Sequence, residues 1–248
     1  MLKRLARHQA PWLVCLSLVA STPVSGQIAP ADQTTDILAF TPGHSGDTNL
    51  WGAIGDSMKL LMIEHGWRIA FQEETRRALT GPFFQDYIHS VKRPTQWDDT
   101  DSWMVNYIGH PLHGAAAGRI WLDHGRFRST PTGLSMQYWN SRARATAFSA
   151  FYSLQFEFGP LSEASIGNVG MRPGTSGWVD HVVTPGGAFA VMVAEDALDH
   201  FFVEWFERHV SNGAARASMR VLFAPSRALA NITQNELPWY RPNRPLSH

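Results

Sequence analysis

Apolar residues recur with helical spacing along most of the chain after Leu50. In the first such stretch Leu60, Ile63, Trp67 and Phe71 recur at steps of three and four residues, as on one face of an α-helix. The strict alternation typical of a half-buried β-strand is nearly absent. The pattern therefore predicts a mainly α protein, a compact helical bundle with little or no β-structure.

Two later stretches are rich in small residues. The first, Asp101 to Asp123, contains Gly114 and Gly118 and is predicted to form a helix that is broken or restarted at Pro111. The second runs from Arg142 to Phe158. Small side chains let two helix axes approach more closely than the usual 8–10 Å. We therefore expect the two glycines to pack against the small residues of the second helix: Ala143, Ala147 and Ala150.

The chain ends differ in composition from its centre. Three cations near the N-terminus precede a short apolar run and then small residues, a pattern that predicts a signal peptide over residues 1–26. A buried first helix or an uncleaved anchor is the alternative. A polar lead-in over 27–49, a helical domain over 50–224 and a proline-rich tail over 225–248 complete the predicted organisation.

Export would change the charge and the cysteine content. Removing three positive charges from a formal net charge of zero leaves about −3, and the single cysteine, Cys15, would also be lost. The mature chain has no basic stripe, which argues against nucleic acid as a partner. Most of the ten tryptophans lie beyond residue 26. Tryptophan suits a deep core, a partner groove or a membrane interface.

His110 and His113 are the first candidates for chemistry. Three residues apart, they share one face of a continuous helix with Asn106. With Pro111 at the helix start, His110 would lie at the positive end of the helix dipole, where a neutral imidazole suits metal ligation or general-base catalysis. The alternative is a pair of buried histidines that bond to backbone carbonyls or carboxylates.

Carboxylates and a third histidine complete the candidate sites. Asp180 and His181 open the long segment from Trp178 to Val210, which Pro185 and its neighbouring glycines interrupt. Adjacent helical residues point about 100° apart, so both can face one ion only if the backbone is irregular. Asp180 as an N-cap is the alternative. The candidate catalytic residues are His110, Glu157 and His181, and the candidate ligands of a divalent metal are His110, His113 and Asp180.

A polar band interrupts the same long segment. Glu195 and Asp199, like Asp196 and His200, stand four residues apart. The band fits a partly buried site with perturbed pKa values, but a solvated stripe or a set of bonds to adjacent helices fits it too. The familiar enzyme motifs, such as G-x-S-x-G and H-E-x-x-H, do not occur in the sequence.

The residues N-Y-I-G-H-P-L-H-G and the later Glu157 resemble an uncharacterised family of bacterial envelope proteins. Its motif is an asparagine, three residues, His-Pro, two residues and glycine, followed by a helix that ends in glutamate. The resemblance covers about residues 98–200 and implies a role for Asn106, His110, Pro111, Gly114 and Glu157. It implies no particular reaction.

We therefore expect an exported protein of the periplasm or outer envelope of a bacterium, acting by binding or assembly near a membrane. Its partner would be a membrane surface or another envelope protein. The alternative is a hydrolase that uses a metal or a His–carboxylate pair around His110.

Overall fold

The protein is mainly α-helical, as the spacing predicts. The computed structural model describes residues 48–71, 73–80, 84, 87–88, 96–99, 101–125, 132–162 and 177–246. Within these ranges the only β-type pairing is an isolated bridge between Gln96 and Gly177. The predicted signal peptide, and the predicted lead-in up to residue 47, lie outside the described residues.

The structure describes eight α-helices. They are α1 (Leu50–Phe71), α2 (Glu73–Ala78), α3 (His110–Asp123), α4 (Met136–Phe158), α5 (Val179–Leu198), α6 (Glu204–His209), α7 (Gly213–Phe223) and α8 (Pro225–Thr233). A π turn at Val105–Gly109 leads into α3, and a second at Asp199–Val203 joins α5 to α6. None of the helices in these ranges is long and apolar enough to cross a membrane.

Helix α3 lies at the centre of the bundle and contacts α1, α4, α5 and α8. Its residues are buried on all sides, and Ala115, Ala116 and Ala117 are fully buried. A helix enclosed by several others needs short side chains all round, because no face is turned to water. The alanine and glycine content of this stretch thus determines its central position.

Two glycines of α3 sit where a side chain would collide with a neighbouring helix. A Cβ at Gly114 would lie 2.5 Å from Ser149 Oγ of α4 and 2.8 Å from the Thr184 carbonyl oxygen of α5. A Cβ at Gly118 would lie 2.8 Å from Met192 Sδ. All three separations are shorter than real Cβ contacts. At Gly114 one of them is to a backbone oxygen, whereas at Gly118 the short contact is to the flexible Met192 side chain, so glycine is required more strictly at Gly114.

The partner face of α4 differs from the predicted one. Gly118 approaches the carbonyl of Ala145, and Gly114 approaches Ser149. The alanines predicted to line this contact are instead exposed or half-buried: Ala143, Ala147 and Ala150. Each residue turns a helix by about 100°, so a small shift in register changes which face meets α3.

Helix α1 also buries a different face from the predicted one. Ile63 and Phe71 are exposed, whereas Glu64 and His65 are buried. The reason is a set of polar partners inside the bundle: the Tyr152 hydroxyl donates to Glu64 Oε2 at 2.8 Å, and His65 Nε2 bonds the Leu161 carbonyl at 2.7 Å. Paired in this way, the polar face of α1 can leave water.

Helix α5 passes through Pro185 without interruption, unlike the predicted break. Gly187 serves the contact with α3 instead, since a Cβ at this position would lie 2.5 Å from Pro111 Cγ. The segment predicted as a tail contains α8, which starts at Pro225. Proline is well tolerated in the first turn because those N–H groups have no partner within the helix.

Candidate metal centre

Three side chains from three helices meet inside the bundle. His110 of α3, Glu157 of α4 and Asp180 of α5 each offer a ligand atom, and these atoms lie within 4.8 Å of one another. His110 Nε2 is 3.4 Å from Asp180 Oδ1. All three residues are only 4 % exposed. This is the largest concentration of possible ligands that the described part of the chain brings together.

The π turn determines where His110 points. The backbone N–H of His110 donates to the Val105 carbonyl, five residues earlier. Pro111 follows in the first turn of α3 and has no N–H to donate. The helical backbone therefore continues from Trp103 to Asp123, with one wider turn where the sequence predicted a break. Such π turns are often found at functional sites.

Asp180 is held by contacts at the start of α5. The N–H groups of Trp178 and Val179 donate to the carbonyls of Gln96 and Trp97 at 2.9 and 3.0 Å. Ser153, on α4, donates its hydroxyl hydrogen to the Asp180 carbonyl oxygen at 3.3 Å. The N-cap residue of α5 is Trp178 and not Asp180, which was the alternative interpretation of Asp180 from the sequence. The Asp180 side chain faces His110 instead.

His113 belongs to a neighbouring polar cluster rather than to the three-ligand group. Its Nδ1 lies 3.5 Å from Glu64 Oε1. Burial lowers the pKa of His113 well below its usual value, and repulsion from His110 and Arg68 lowers it further. The ring is therefore neutral near pH 7. Burial and the adjacent Glu64 also raise the pKa of Tyr152 well above its usual value.

Glu64 was not among the predicted site residues. The sequence does carry one signal for it, because Glu64 and His65 follow the apolar run Leu60 to Ile63 in the middle of a helix. A glutamate is almost never fully buried unless it is paired, so one that directly follows an apolar run in mid-helix indicates a polar partner inside the bundle.

Phe156 packs against residues of both clusters. Its ring makes edge-to-face contacts with His110 and His113, at centroid distances of 6.0 and 5.5 Å, and stacks on His65 at 5.4 Å. The His110 and His113 rings themselves lie 5.6 Å apart. Phe156 therefore contacts three imidazoles at once.

His181 points away from the centre. It is half-buried, stacks on Phe158 at a centroid distance of 5.0 Å and meets Trp178 edge-on. Burial lowers its pKa. The rotation of about 100° between neighbouring residues explains why Asp180 enters the centre and His181 does not.

Asn106 is buried one turn before His110 and anchors the preceding segment. Its Nδ2 donates to Asp99 Oδ1 at 2.7 Å, and that oxygen also accepts the N–H of Asp101. Asn106 therefore supports the π turn rather than the three-ligand group.

The side chains of the polar band bond to adjacent helices. The band lies at the opposite end of α5 from Asp180, which is the residue that faces His110. Asp196 accepts hydrogen bonds from Arg119 Nη1 at 2.6 Å and Arg142 Nε at 2.8 Å. Burial alone would raise the pKa of Asp196, but the two guanidinium groups lower it to about 2. Glu195 accepts from the hydroxyl and N–H of Ser226.

The other two members of the band lie nearer the surface. Asp199 pairs with Arg241 and Arg244 of the C-terminal segment, and His200 lies 3.6 Å from Glu204. The four residues thus do not converge on one site.

No protein-family model, curated protein or solved structure matches this chain.

Proposed function

We propose that this protein binds one divalent metal ion through His110, Glu157 and Asp180. The observation that carries the proposal is the convergence of one imidazole and two carboxylates, from three different helices, within 4.8 Å in the interior of the bundle. Buried charged groups are costly unless they are paired or coordinate a metal. One imidazole and two carboxylates buried at one point are a donor set of the kind that binds divalent metals in proteins.

The donor set indicates the class of ion. Imidazole nitrogen suits zinc, iron and other first-row metals, and carboxylate oxygen suits these and manganese as well. Three protein ligands leave at least one coordination position open, which is the arrangement of catalytic rather than structural zinc sites. We favour Zn²⁺, Mn²⁺ or Fe²⁺ over Ca²⁺, which prefers six to eight oxygen ligands.

The charges around the site also favour a single divalent cation. Glu157 and Asp180 contribute two negative charges when ionised. One divalent ion would neutralise them.

The chemistry that such an ion would supply is hydrolysis by a metal-bound water. His110, Glu157 and Asp180 would hold the ion, and the Phe156 ring would keep bulk water away from it. The protein would then be a metal-dependent hydrolase.

We also propose that the protein is exported and acts at a membrane in a bacterial envelope. A specific observation supports this: the interior of the bundle is rich in polar residues and alanine, while many large apolar side chains are exposed. Extended apolar patches mark protein or membrane interaction sites. The most exposed include Trp51, Phe84, Trp103, Leu134 and Met136.

Metal content tests the first proposal. The chain from Gln27 onward would be purified, stripped with chelator, reloaded with Zn²⁺ or Mn²⁺ and analysed by elemental mass spectrometry. We expect about one ion per chain, and a loss of roughly tenfold or more in affinity for Asp180→Asn and Glu157→Gln, because each change removes one ligand.

His181→Phe is the matched control, since it keeps the stack on Phe158 and lies next to Asp180 without joining the group. It should bind metal as the parent does. Failure of the parent to bind either Zn²⁺ or Mn²⁺ would refute the metal centre. Bound metal without hydrolysis of ester or phosphoester substrates would refute the enzyme while keeping the site.

Export is tested separately by expressing the full chain in a Gram-negative bacterium. We expect the protein in the periplasmic or membrane fraction with Gln27 at its N-terminus. A cytoplasmic protein that retains residues 1–26 would refute it.

A further inference from the structure

An aromatic face covers the end of the bundle where His110 and Asp180 lie. Trp97, Trp103, Tyr107 and Trp178 are 50 %, 66 %, 41 % and 50 % exposed. Trp97 Nε1 donates to the Tyr107 hydroxyl at 3.1 Å, and the Trp103 and Tyr107 rings stack at 5.8 Å. The backbone of Trp178 bonds to Gln96, beside Trp97. The rings of Trp97, Trp103 and Tyr107 thus contact one another, and Trp178 is exposed at the segment bonded to them. We call these four residues the aromatic face.

The aromatic face is connected directly to the metal centre. Tyr107 belongs to the π turn that positions His110, and Trp178 lies two residues before Asp180. The bond from Asn106 to Asp99 holds the segment of Trp97 against the same π turn. Further exposed apolar side chains extend the face: Met104, Ile108 and Val182.

The charge of the aromatic face narrows the choice of partner. Asp98 and Asp101 are exposed at its rim, whereas residues 96–110 and 177–183 contain no lysine or arginine. An anionic surface would be repelled there. The carboxylates instead complement the ammonium groups of zwitterionic lipids, and indole rings attract such cations through their π-faces.

The amphipathic rings of these residues also suit a lipid interface. Tryptophan and tyrosine are enriched at the boundary between headgroups and hydrocarbon, because one end of the ring is apolar and the other can hydrogen-bond. Tyr107 and Trp97 already show this arrangement, since their polar atoms pair with each other while the rings stay exposed.

We infer that the aromatic face docks on the interface of a zwitterionic bilayer, such as phosphatidylethanolamine, and so places the metal centre next to the membrane. The inference rests on the proposed membrane association and adds to it the docking face and the lipid class.

Vesicle binding tests this inference. The parent protein, the double variant Trp103→Ser/Trp178→Ser and the control Phe201→Ser would be cosedimented with phosphatidylethanolamine/phosphatidylcholine vesicles and with phosphatidylglycerol vesicles. Phe201 is a matched control because it is 74 % exposed but follows the opposite end of α5, about 35 Å away along the helix.

We expect the parent to prefer zwitterionic vesicles and its binding to change little with salt. The double variant should bind about tenfold more weakly or worse, because two interfacial rings are lost, while Phe201→Ser should bind within about twofold of the parent. Tryptophan fluorescence should be quenched by brominated lipids in the parent and much less in the double variant.

Other outcomes would overturn the inference in distinct ways. A parent that binds neither vesicle refutes the membrane association itself. Membrane binding that survives the double substitution, or that needs anionic lipid, refutes the aromatic face and leaves the association standing. A double variant that loses self-association but not vesicle binding shows that the face contacts protein instead.

Discussion

His110 Nε2 lies 3.4 Å from Asp180 Oδ1, although the two residues belong to different helices. The distance is short because α3 and α5 cross closely. Pro111 fits over Gly187, and Gly114 lies against the Thr184 carbonyl. The small residues on both helices thus set the geometry of the candidate metal centre, and changes to them should affect stability and metal binding together.

Gly114→Leu should strongly destabilise the protein. Even a single Cβ at this position would lie 2.5 Å from Ser149 Oγ and 2.8 Å from a backbone oxygen of α5, so a larger side chain must push two helices apart. We expect a loss of about 3 kcal/mol or more in the free energy of unfolding, measured by chemical denaturation.

Gly186→Ala is the matched control for that substitution, because no atom lies within 4 Å of a Cβ built at Gly186. Its unfolding free energy should be unchanged or slightly higher, since alanine favours helix. Equal effects of the two substitutions would contradict the close packing at Gly114.

Asp196→Asn should destabilise the bundle through its buried arginines. Asp196 accepts hydrogen bonds from Arg119 and Arg142 and from the Tyr138 hydroxyl, so an amide would leave two buried guanidinium groups short of their anion. The expected loss is about 3–5 kcal/mol. Glu73→Gln breaks the exposed pair with Arg77 and should cost less than about 1 kcal/mol. Comparable losses of stability for Asp196→Asn and Glu73→Gln would contradict the role of Asp196 as the buried anion of Arg119 and Arg142.

The contribution of Asp196 should disappear in acid. Its pKa is lowered from 3.8 to about 2 in the folded protein, so the unfolded chain takes up the proton first as the pH falls. The stabilisation is therefore complete above about pH 5 and is lost towards about pH 2, by about 2 kcal/mol. Unfolding free energies of the parent and Asp196→Asn should approach each other over this interval. A difference in unfolding free energy that stays constant over this pH interval would refute the lowered pKa of Asp196.

Metal should stabilise the folded protein if the ion binds only there. Free Zn²⁺ or Mn²⁺ at about 100 times its dissociation constant should raise the free energy of unfolding by about 2.7 kcal/mol. Asp180→Asn, with an affinity at least about tenfold lower, should gain no more than about 1.4 kcal/mol at the same metal concentration. A shift of the same size in both proteins would locate the binding elsewhere.

Several features follow from the sequence because they are local. Helical spacing depends only on residues a few positions apart, so the mainly α character could be predicted without tertiary contacts. The small residues of α3 likewise identified a helix that others approach closely. His110, Glu157 and Asp180 could each be singled out as candidates, because polar side chains stand out in apolar or glycine-rich stretches.

Only the tertiary structure decided which of these candidates meet. A helix turns by about 100° per residue, so its rotation about its own axis selects the facing side chains, and that rotation is set by contacts with distant segments. The π turn at Val105–Gly109 and the bond of Trp178 to Gln96 orient His110 and Asp180 towards each other. The same rotations turn His113 towards Glu64 and His181 towards Phe158. They also pair Asp196 with arginines of two other helices, which no spacing within α5 could reveal.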